Sequence, residues 1–331
     1  MPVGPSDRGL AVMLRVAAIG LSFVFAACTS PQKREEAVYG PTESIIEVVA
    51  VLRRHVPDDT YRFPPGNDFT GRNVYRSTLL RLENLEKLHA DALRSGHLDP
   101  TIAFAKARSL ERLRAYGLAS EYYREAAKNS PRLKDEALRS AEICDEIQLA
   151  VALGIDIPDP LAQGRHEEPL PPDANRVVAD LDKRSARLSA LIDQDPESHY
   201  VFVVREELER VDIVRAHYFV ATRHNRPGGQ IRAVSELQRA ASRNAASKNK
   251  RRLLLDVADF YALLAEEYTR ANPPESLRFD PVLFHELVEA ASQIYQTVAA
   301  EDGTPEKLEA ARRFEAFLAF TLQVDRDRFT Q

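Results

Sequence analysis

The sequence predicts an all-α protein built from antiparallel helical hairpins. Apolar residues recur at spacings of three and four along most of the chain, which is the periodicity of an amphipathic helix. No run of alternating β-branched residues long enough for a strand interrupts this pattern. Glycines and prolines divide the chain into helix-length segments with short connections, and short connections make successive helices antiparallel.

Helix starts are indicated by pairs in which an acceptor side chain precedes a proline. The acceptor can cap the first turn and the proline suits its backbone; the pairs are Asp99-Pro100, Asp195-Pro196, Asp280-Pro281 and Thr304-Pro305. Gly228-Gly229 and Pro273-Pro274 break what would otherwise be overlong helices. The predicted helices cover residues 43–55, 71–95, 100–115, 117–129, 133–153, 174–194, 196–223, 230–246, 249–271, 281–300 and 305–325.

The N-terminal residues have the layout of an export signal. Arg8 and Arg15 precede an apolar run over residues 16–27 that ends on two alanines. The run holds about a dozen residues, whereas a helix needs about 20 to cross the hydrocarbon core of a membrane. We therefore predict a signal peptide over residues 1–27, with translation starting at Met1 or at Met13, and not a permanent membrane span.

Residues 24–28, VFAAC, resemble the lipobox of bacterial lipoprotein precursors, with Phe25 where that family usually has an aliphatic residue. The resemblance implies that Cys28 receives the lipid and becomes the mature N-terminus, and that residues 28–42 form a lipidated flexible tether. Thr29 in the next position implies passage to the outer membrane, facing the periplasm, rather than retention in the inner one. The alternative is an ordinary secretory signal with a released product.

Small and aromatic residues between positions 100 and 131 form the most specific internal pattern. Ala107 and Leu110 precede a second helix that carries Tyr116, Ala119, Tyr123 and Ala126, and Pro131 follows it. The pattern resembles a tetratricopeptide repeat, although Ala103 and Lys106 depart from its first helix. The resemblance implies hairpins stacked as a right-handed superhelix. The alternative is an ordinary helical bundle whose core uses the same residue types.

The segment 154–175 divides the body of the protein. It contains five prolines and few apolar residues, so we expect an exposed connection without regular structure. The predicted organisation is an N-terminal tetratricopeptide-like region over residues 43–153 and a C-terminal helical region over residues 176–331. Whether these are two domains or one continuous superhelix stays open, because stacked repeats can continue across an insertion.

The motifs of the common catalytic classes are not found in the sequence. It contains no GxSxG, HExxH, GxxxxGK[ST] or strand-borne GxGxxG pattern. His166-Glu167-Glu168 and His285-Glu286 lack the spacing of a metal site, and Cys144 is expected to be a small buried core residue. The pairs Glu206-Glu207 and Glu266-Glu267 are expected to be solvated helix faces. We therefore predict a protein that is not an enzyme and has no cofactor or metal; an enzyme of unrecognised type is an alternative.

One segment stands out by its charge in a chain of formal net charge −5. Residues 223–252 carry nine basic side chains against the single acidic residue Glu236; the nine are Arg223, Arg226, Arg232, Arg239, Arg243, Lys248, Lys250, Arg251 and Arg252. On the helix that starts near residue 230, Arg232, Arg239 and Arg243 share one face, which we expect to be exposed. Another face of that helix carries apolar residues that we expect to pack inward: Ile231, Val234, Leu237 and Ala241. This patch predicts either binding of an anionic envelope polymer or lipid, or ion pairs with acidic residues of the C-terminal helices. Nucleic acid is not an expected partner.

These observations together predict a lipid-anchored envelope protein that acts as a non-catalytic scaffold. The membrane is contacted through the N-terminal lipid, and the helical stack presents a surface to an envelope protein partner. Binding of an anionic polymer or lipid through residues 223–252 is the second hypothesis.

Overall fold

Helices form nearly all of the chain that the computed structural model describes, which is residues 74–157, 170–198 and 200–329. The predicted all-α class is confirmed, because those ranges contain ten α-helices and no β-strand. A 3₁₀ turn, Arg223–Asn225, follows the sixth helix. In chain order the helices are α1 (Val74–Ser95), α2 (Asp99–Arg112), α3 (Tyr116–Asn129), α4 (Lys134–Val151), α5 (Ala174–Gln194), α6 (Val201–Ala221), α7 (Gly229–Arg243), α8 (Lys250–Ala271), α9 (Pro281–Ala299) and α10 (Pro305–Phe329).

Each helix packs mainly on the helix that follows it in the chain, and α8 also contacts α10. The connections within each described range are short, which makes successive helices antiparallel. All of these helices belong to one compact unit. The predicted signal peptide, tether and helix 43–55 lie outside the described residues, as do residues 158–169 of the proline-rich connection.

The capping predictions are right for one aspartate and wrong for two. Asp280 caps α9, since its carboxylate accepts hydrogen bonds from the backbone N–H groups of Val282 and Leu283 at 2.8 and 3.4 Å. Asp99 already lies inside α2, whose N-cap is Leu98. Asp195 ends α5 instead of starting α6, because its carboxylate pairs with Arg139 of α4. That ion pair holds Asp195 on the preceding hairpin, and α6 begins later, at Val201.

The Gly228-Gly229 pair makes the sharp entry into α7 that the sequence predicts. Gly228 has a φ of 67°, in the left-handed region that glycine adopts without steric cost. A Cβ atom on Gly229 would lie 2.0 Å from the backbone oxygen of Arg223, so only glycine fits at this approach. The pair therefore holds the 3₁₀ turn directly against the start of α7.

Helix α6 is buried on nearly every side. Its apolar side chains, including Val204, Val211, Val214 and Tyr218, contribute to the core that extends from α2 to α8. A second apolar cluster covers α8, α9 and α10, and Leu254 and Tyr261 of α8 pack against both clusters. Because α6 is enclosed over most of its length, most of the charged residues that alternate with its valines must be accommodated inside the protein.

Candidate functional site

The most deeply buried charged cluster lies where α6 meets the turn between α2 and α3. Glu207 of α6 is 2% exposed and accepts hydrogen bonds from Arg114 Nε at 2.6 Å, Tyr116 Oη at 2.7 Å and Arg184 Nη2 at 2.8 Å. Arg184 of α5 is itself fully buried. The carboxylate is thereby held by three side chains from α3, from α5 and from the turn before α3.

The electrostatics of this cluster favour an ionised Glu207. Burial alone would raise the pKa of its carboxyl group, but hydrogen bonds from Arg114 and Tyr116 and the charges of Arg114 and Arg184 lower that pKa below its ordinary value. Burial and the Glu207 charge raise the pKa of the Tyr116 phenol. Tyr116 therefore stays protonated and donates its hydrogen to an ionised carboxylate.

Arg114 adopts an unusual backbone conformation at this point. Its φ of 65° lies in the left-handed region, which costs energy for a residue with a side chain. Its guanidinium binds Glu207 through two nitrogens, Nε at 2.6 Å and Nη2 at 3.1 Å. The paired hydrogen bonds from the Arg114 side chain offset that backbone cost, so the α2–α3 turn is locked to α6.

A second buried cluster joins α2, α3 and α4 around Glu111. Tyr123 Oη donates to its carboxylate at 2.8 Å, Cys144 Sγ lies 3.9 Å away, and Arg108 lies 3.6 Å away. Cys144 is fully buried, as the sequence predicted. Burial and the negative charge of Glu111 raise the pKa of the Cys144 thiol. A protonated, inaccessible thiol is a poor nucleophile, so this arrangement suits packing and not covalent catalysis.

A third cluster lies in the C-terminal region between α8, α9 and α10. Tyr295 Oη donates to Asp259 at 2.7 Å, and Arg313 of α10 pairs with the same carboxylate. Burial raises the pKa of the Asp259 carboxyl group despite these partners. Here a half-buried carboxylate from one helix is bound by the two helices that follow it.

The expectation that the paired glutamates are solvated is wrong for three of the four. Glu207 is buried, Glu206 lies 3.2 Å from Arg112 of α2, and Glu267 pairs with Arg223. Only Glu266 is exposed. For Glu206 and Glu207 the reason is the position of α6, which is enclosed over most of its length, so that residues on what would be a polar face contact neighbouring helices instead. Glu267, on α8, is reached by Arg223 from the turn after α6.

The residues of the tetratricopeptide-like pattern lie in the interface of α2, α3 and α4. Six are buried in the core, and only Pro131, just after the end of α3, is exposed; the six are Ala107, Leu110, Tyr116, Ala119, Tyr123 and Ala126. Phe104 of α2 meets the Tyr123 ring edge-on at 5.1 Å between centroids. The burial agrees with a repeat and equally with an ordinary bundle, so the repeat interpretation stays a prediction.

The basic segment is extensively paired with carboxylates of the same chain. Arg232 and Arg239 both bind Glu236, and Arg243 binds Asp212 at 2.8 Å. Seven of the nine basic side chains lie within 4 Å of a carboxylate; the other four of the seven are Arg223, Lys248, Arg251 and Arg252. Arg226 lies over the ring of Phe219 at 5.7 Å, and Lys250 is exposed. Most of this charge is therefore paired within the chain, but only Arg223, Arg251 and Arg252 pair with acidic residues of the C-terminal part, as the intramolecular alternative predicted. The prediction of those partners is wrong for the α7 arginines and Lys248, which pair with α7 itself or with α6.

The face of α7 that carries these arginines is partly exposed, as predicted, but one residue of its predicted apolar face is exposed as well. Arg232 and Arg243 are exposed and Arg239 is half-buried. Leu237 and Ala241 are buried in the core, whereas Ile231, which we grouped with them, is exposed. Ile231 lies in the first turn of α7, beyond the reach of the core.

The cavities found in the described part of the chain are poor candidates for a small-molecule site. An enclosed one of about 10 Å³, lined by residues such as Ile143, Leu191 and Tyr200, has room for about one water molecule. A wide, open groove of about 340 Å³ runs along one side of α9 at Pro281, His285 and Glu289. Within residues 74–157, 170–198 and 200–329, no three His, Cys, Asp or Glu side chains converge as metal ligands would. His166-Glu167-Glu168 lies outside those ranges.

None of the described helices combines the length and the apolar character needed to span a membrane. Compared with protein-family models, with curated proteins and with solved structures, the chain matches none of them.

Proposed function

We propose that this chain is a bacterial envelope lipoprotein whose helical stack holds a protein partner and carries out no reaction of its own. The anchor would be a lipid on Cys28, and the location would be the outer membrane, facing the periplasm. The N-terminal sequence supports this part of the proposal: a basic start, a short apolar run and the segment VFAAC at residues 24–28.

The scaffold role rests on one observation: carboxylates inside the stack are bound by side chains of neighbouring helices. The buried carboxylates Glu207 and Glu111 and the half-buried Asp259 each contact side chains from neighbouring helices. Groups that are committed to such contacts fix helix positions and are not available to bind a substrate. A catalytic site would instead place unsatisfied or weakly held polar groups in a cleft.

A partner surface is suggested by apolar side chains that the hairpins leave in solvent. Leu118 of α3 and Leu149 of α4 are both about half exposed, although α3 and α4 also supply much of the core. Exposed apolar residues on a rigid helical scaffold are the common contact points of protein partners. We therefore assign the partner surface to α3 and α4. Binding of an anionic polymer by residues 223–252 has less support, because most of that charge is paired within the chain.

The anchor is tested by metabolic labelling with a radioactive or clickable fatty acid. Cys28→Ala should abolish the label and leave the chain uncleaved or outside the membrane fraction. Cys144→Ala is the matched control, since it removes the other cysteine of the chain and should keep the label. Fatty-acid label that persists in the Cys28→Ala chain would disprove the lipid anchor.

The partner surface is tested by affinity capture from detergent-solubilised envelopes, with proteins identified by mass spectrometry. The wild-type chain should enrich a specific envelope protein, and the double variant Leu118→Asp/Leu149→Asp should lose most of it. Leu277→Asp is the control, because Leu277 is fully exposed in the α8–α9 connection, away from α3 and α4. Equal capture by the wild type and the double variant would show that α3 and α4 are not the partner surface.

A further inference from the structure

The outward side of α10 carries large apolar side chains that nothing in the described chain covers. Leu308 is 75% exposed and Leu322 is 68% exposed. They lie fourteen positions apart, with Glu315 midway between them at spacings of seven, so the three share one face of the helix. The opposite face, which includes Ala310, Phe317 and Val324, is buried against the rest of the protein.

This pattern is unusual for a helix face that lies in solvent. The outer side of a helix in a stacked helical protein is normally polar where no other helix covers it. Among the described helices, α10 packs mainly on α9 and α8. Two exposed leucines on one stripe, with Leu318 also exposed beside them, therefore indicate a surface that another helix covers.

Two charged residues on the same side of α10 indicate which helix covers this surface. Arg312 and Glu315 are both exposed, and neither makes an ion pair with any residue in the described ranges. They lie next to each other on the outward face, between Leu308 and Leu322. A second copy of α10 offers the matching charges in the opposite order, which a two-fold axis brings together.

Only an antiparallel arrangement of the two α10 helices brings Arg312 of one copy opposite Glu315 of the other. In a parallel pair each residue faces its own copy, so that Arg312 would meet Arg312 and Glu315 would meet Glu315. In an antiparallel pair, setting Arg312 opposite the second copy's Glu315 also sets Glu315 opposite its Arg312. The same register puts Leu308 opposite Ala319, which is exposed and small, so that a large side chain meets a small one twice.

We propose that the chain forms a two-fold symmetric homodimer through α10, with the helices antiparallel and Arg312 of each copy paired with Glu315 of the other. The contact involves one helix of 25 residues from each chain. At 1.5 Å per residue such a helix is about 37 Å long, and a single helix pair buries less area than a standard stable interface. The dimer should therefore be weak and depend on protein concentration.

The test is sedimentation velocity of the full chain in density-matched detergent, over protein concentrations from about 1 to 100 μM, the range in which small interfaces dissociate. The wild-type chain should shift from monomer to dimer across this range. Arg312→Glu and Glu315→Arg should each weaken the dimer by about tenfold or more, because each puts two like charges in contact. Far-UV circular dichroism of both variants should be unchanged, since both residues are exposed.

The decisive measurement is a mixture of the two single variants. In the heterodimer the substituted residue of Arg312→Glu faces the substituted residue of Glu315→Arg at one contact, and the unchanged Glu315 and Arg312 face each other at the second contact. Both contacts then join opposite charges, so the mixture should form a heterodimer as strong as the wild type. The double variant Arg312→Glu/Glu315→Arg should also dimerise with itself. Lys128→Glu, a charge reversal at an exposed lysine of α3, which packs on α2 and α4, should leave the dimer unchanged.

Other occupants of this surface give different results. A wild-type chain that stays monomeric at every concentration would overturn the proposal, because α10 would then be covered by another protein or by another part of the same chain. Dimerisation that neither single variant weakens would place the interface elsewhere. Two weakened single variants that fail to complement each other would rule out the antiparallel pairing.

Discussion

The phenol of Tyr116 donates a 2.7 Å hydrogen bond to the carboxylate of Glu207, across 91 positions of the chain. The same carboxylate binds Arg184, which reaches it from α5 at 2.8 Å. The described residues on both sides of the proline-rich segment are therefore connected by a buried polar cluster as well as by apolar packing. A buried charge with several partners tolerates the loss of a partner poorly, which makes this cluster a direct test of what holds the stack together.

Removing the carboxylate should destabilise the protein strongly. Glu207→Ala leaves Arg184, which is fully buried, without its partner and leaves the Tyr116 hydroxyl without an acceptor. We expect a loss of about 3–5 kcal/mol in the free energy of unfolding, the range seen when one member of a buried ion pair is truncated. The measurement is urea denaturation followed by circular dichroism.

Glu142→Ala on α4 is the matched control, because Glu142 is exposed and should change the free energy of unfolding by less than about 0.5 kcal/mol. Equal effects of the two substitutions would mean that the Glu207 cluster does not stabilise the fold.

The contribution of Glu207 should also depend on pH. The folded state holds its pKa below the ordinary value, so the unfolded chain takes up a proton first as the pH falls. The stabilisation by Glu207 is therefore fully present above the pKa that its carboxyl group has in the unfolded chain. It is lost as the pH falls through the lower pKa that the group has in the folded protein. The difference in unfolding free energy between the wild type and Glu207→Gln should be largest near neutral pH and shrink in acid. A difference that stays constant down to the acid limit of folding would contradict this assignment.

The helical layout could be predicted from the sequence because it depends on local properties. The predicted helix 174–194 agrees with α5, and most other boundaries agree within a few residues. Apolar spacing and the glycine and proline breaks are local signals. The Asp195 prediction failed because Arg139, on a different hairpin, takes the carboxylate that would have capped α6.

The polar clusters could not be predicted, because they depend on which helix is enclosed. Glu207 stands in a charged run beside Glu206 that looks like a solvated face. The available signal is weak: charges are scattered all round α6 among its valines, so that no polar side can be defined. Even then, the identity of its partners Arg114 and Arg184 follows only from the tertiary packing.

A larger residue at Ala119 should disturb the contact between α3 and its neighbours. Ala119 is fully buried, and leucine would have to displace core side chains. We expect Ala119→Leu to lower the free energy of unfolding by about 1–3 kcal/mol through overpacking. Leu118→Ala, at the adjacent exposed position, is the control for a change at a neighbouring site. A thermal melt in which the two variants are equally stable would count against close packing at Ala119.

Cys144 should resist alkylation in the folded protein. Its side chain is fully buried, and burial together with Glu111 raises the pKa of the thiol, so little thiolate forms and reagents cannot reach it. In a Cys28→Ala chain, where Cys144 is the single cysteine, iodoacetamide at pH 8 should leave the native protein unmodified and label it fully in urea. Mass spectrometry reports both states. Rapid labelling without urea would mean that this part of the core opens readily.

The arginines of α7 should contribute more to stability than to anion binding. Arg232 and Arg239 both bind Glu236, which is only 3% exposed. Exposed salt bridges contribute about 0–1 kcal/mol each, but a buried carboxylate that loses both partners costs more. We therefore expect Arg232→Gln/Arg239→Gln to lose about 1–3 kcal/mol of unfolding free energy, because Glu236 is left charged and unpaired.

Adding Glu236→Gln to this double variant should recover most of the loss, since it removes the buried charge that the arginines had balanced. The same variants, expressed from residue 43 onward so that no lipid is attached, also test the anionic-ligand hypothesis through co-sedimentation with anionic vesicles at low salt. Internal pairing predicts that the vesicle-bound fraction is low for the wild type and does not fall in the double variant. A wild type that binds vesicles in a salt-sensitive way, together with a double variant that does not, would show that this face of α7 serves a ligand.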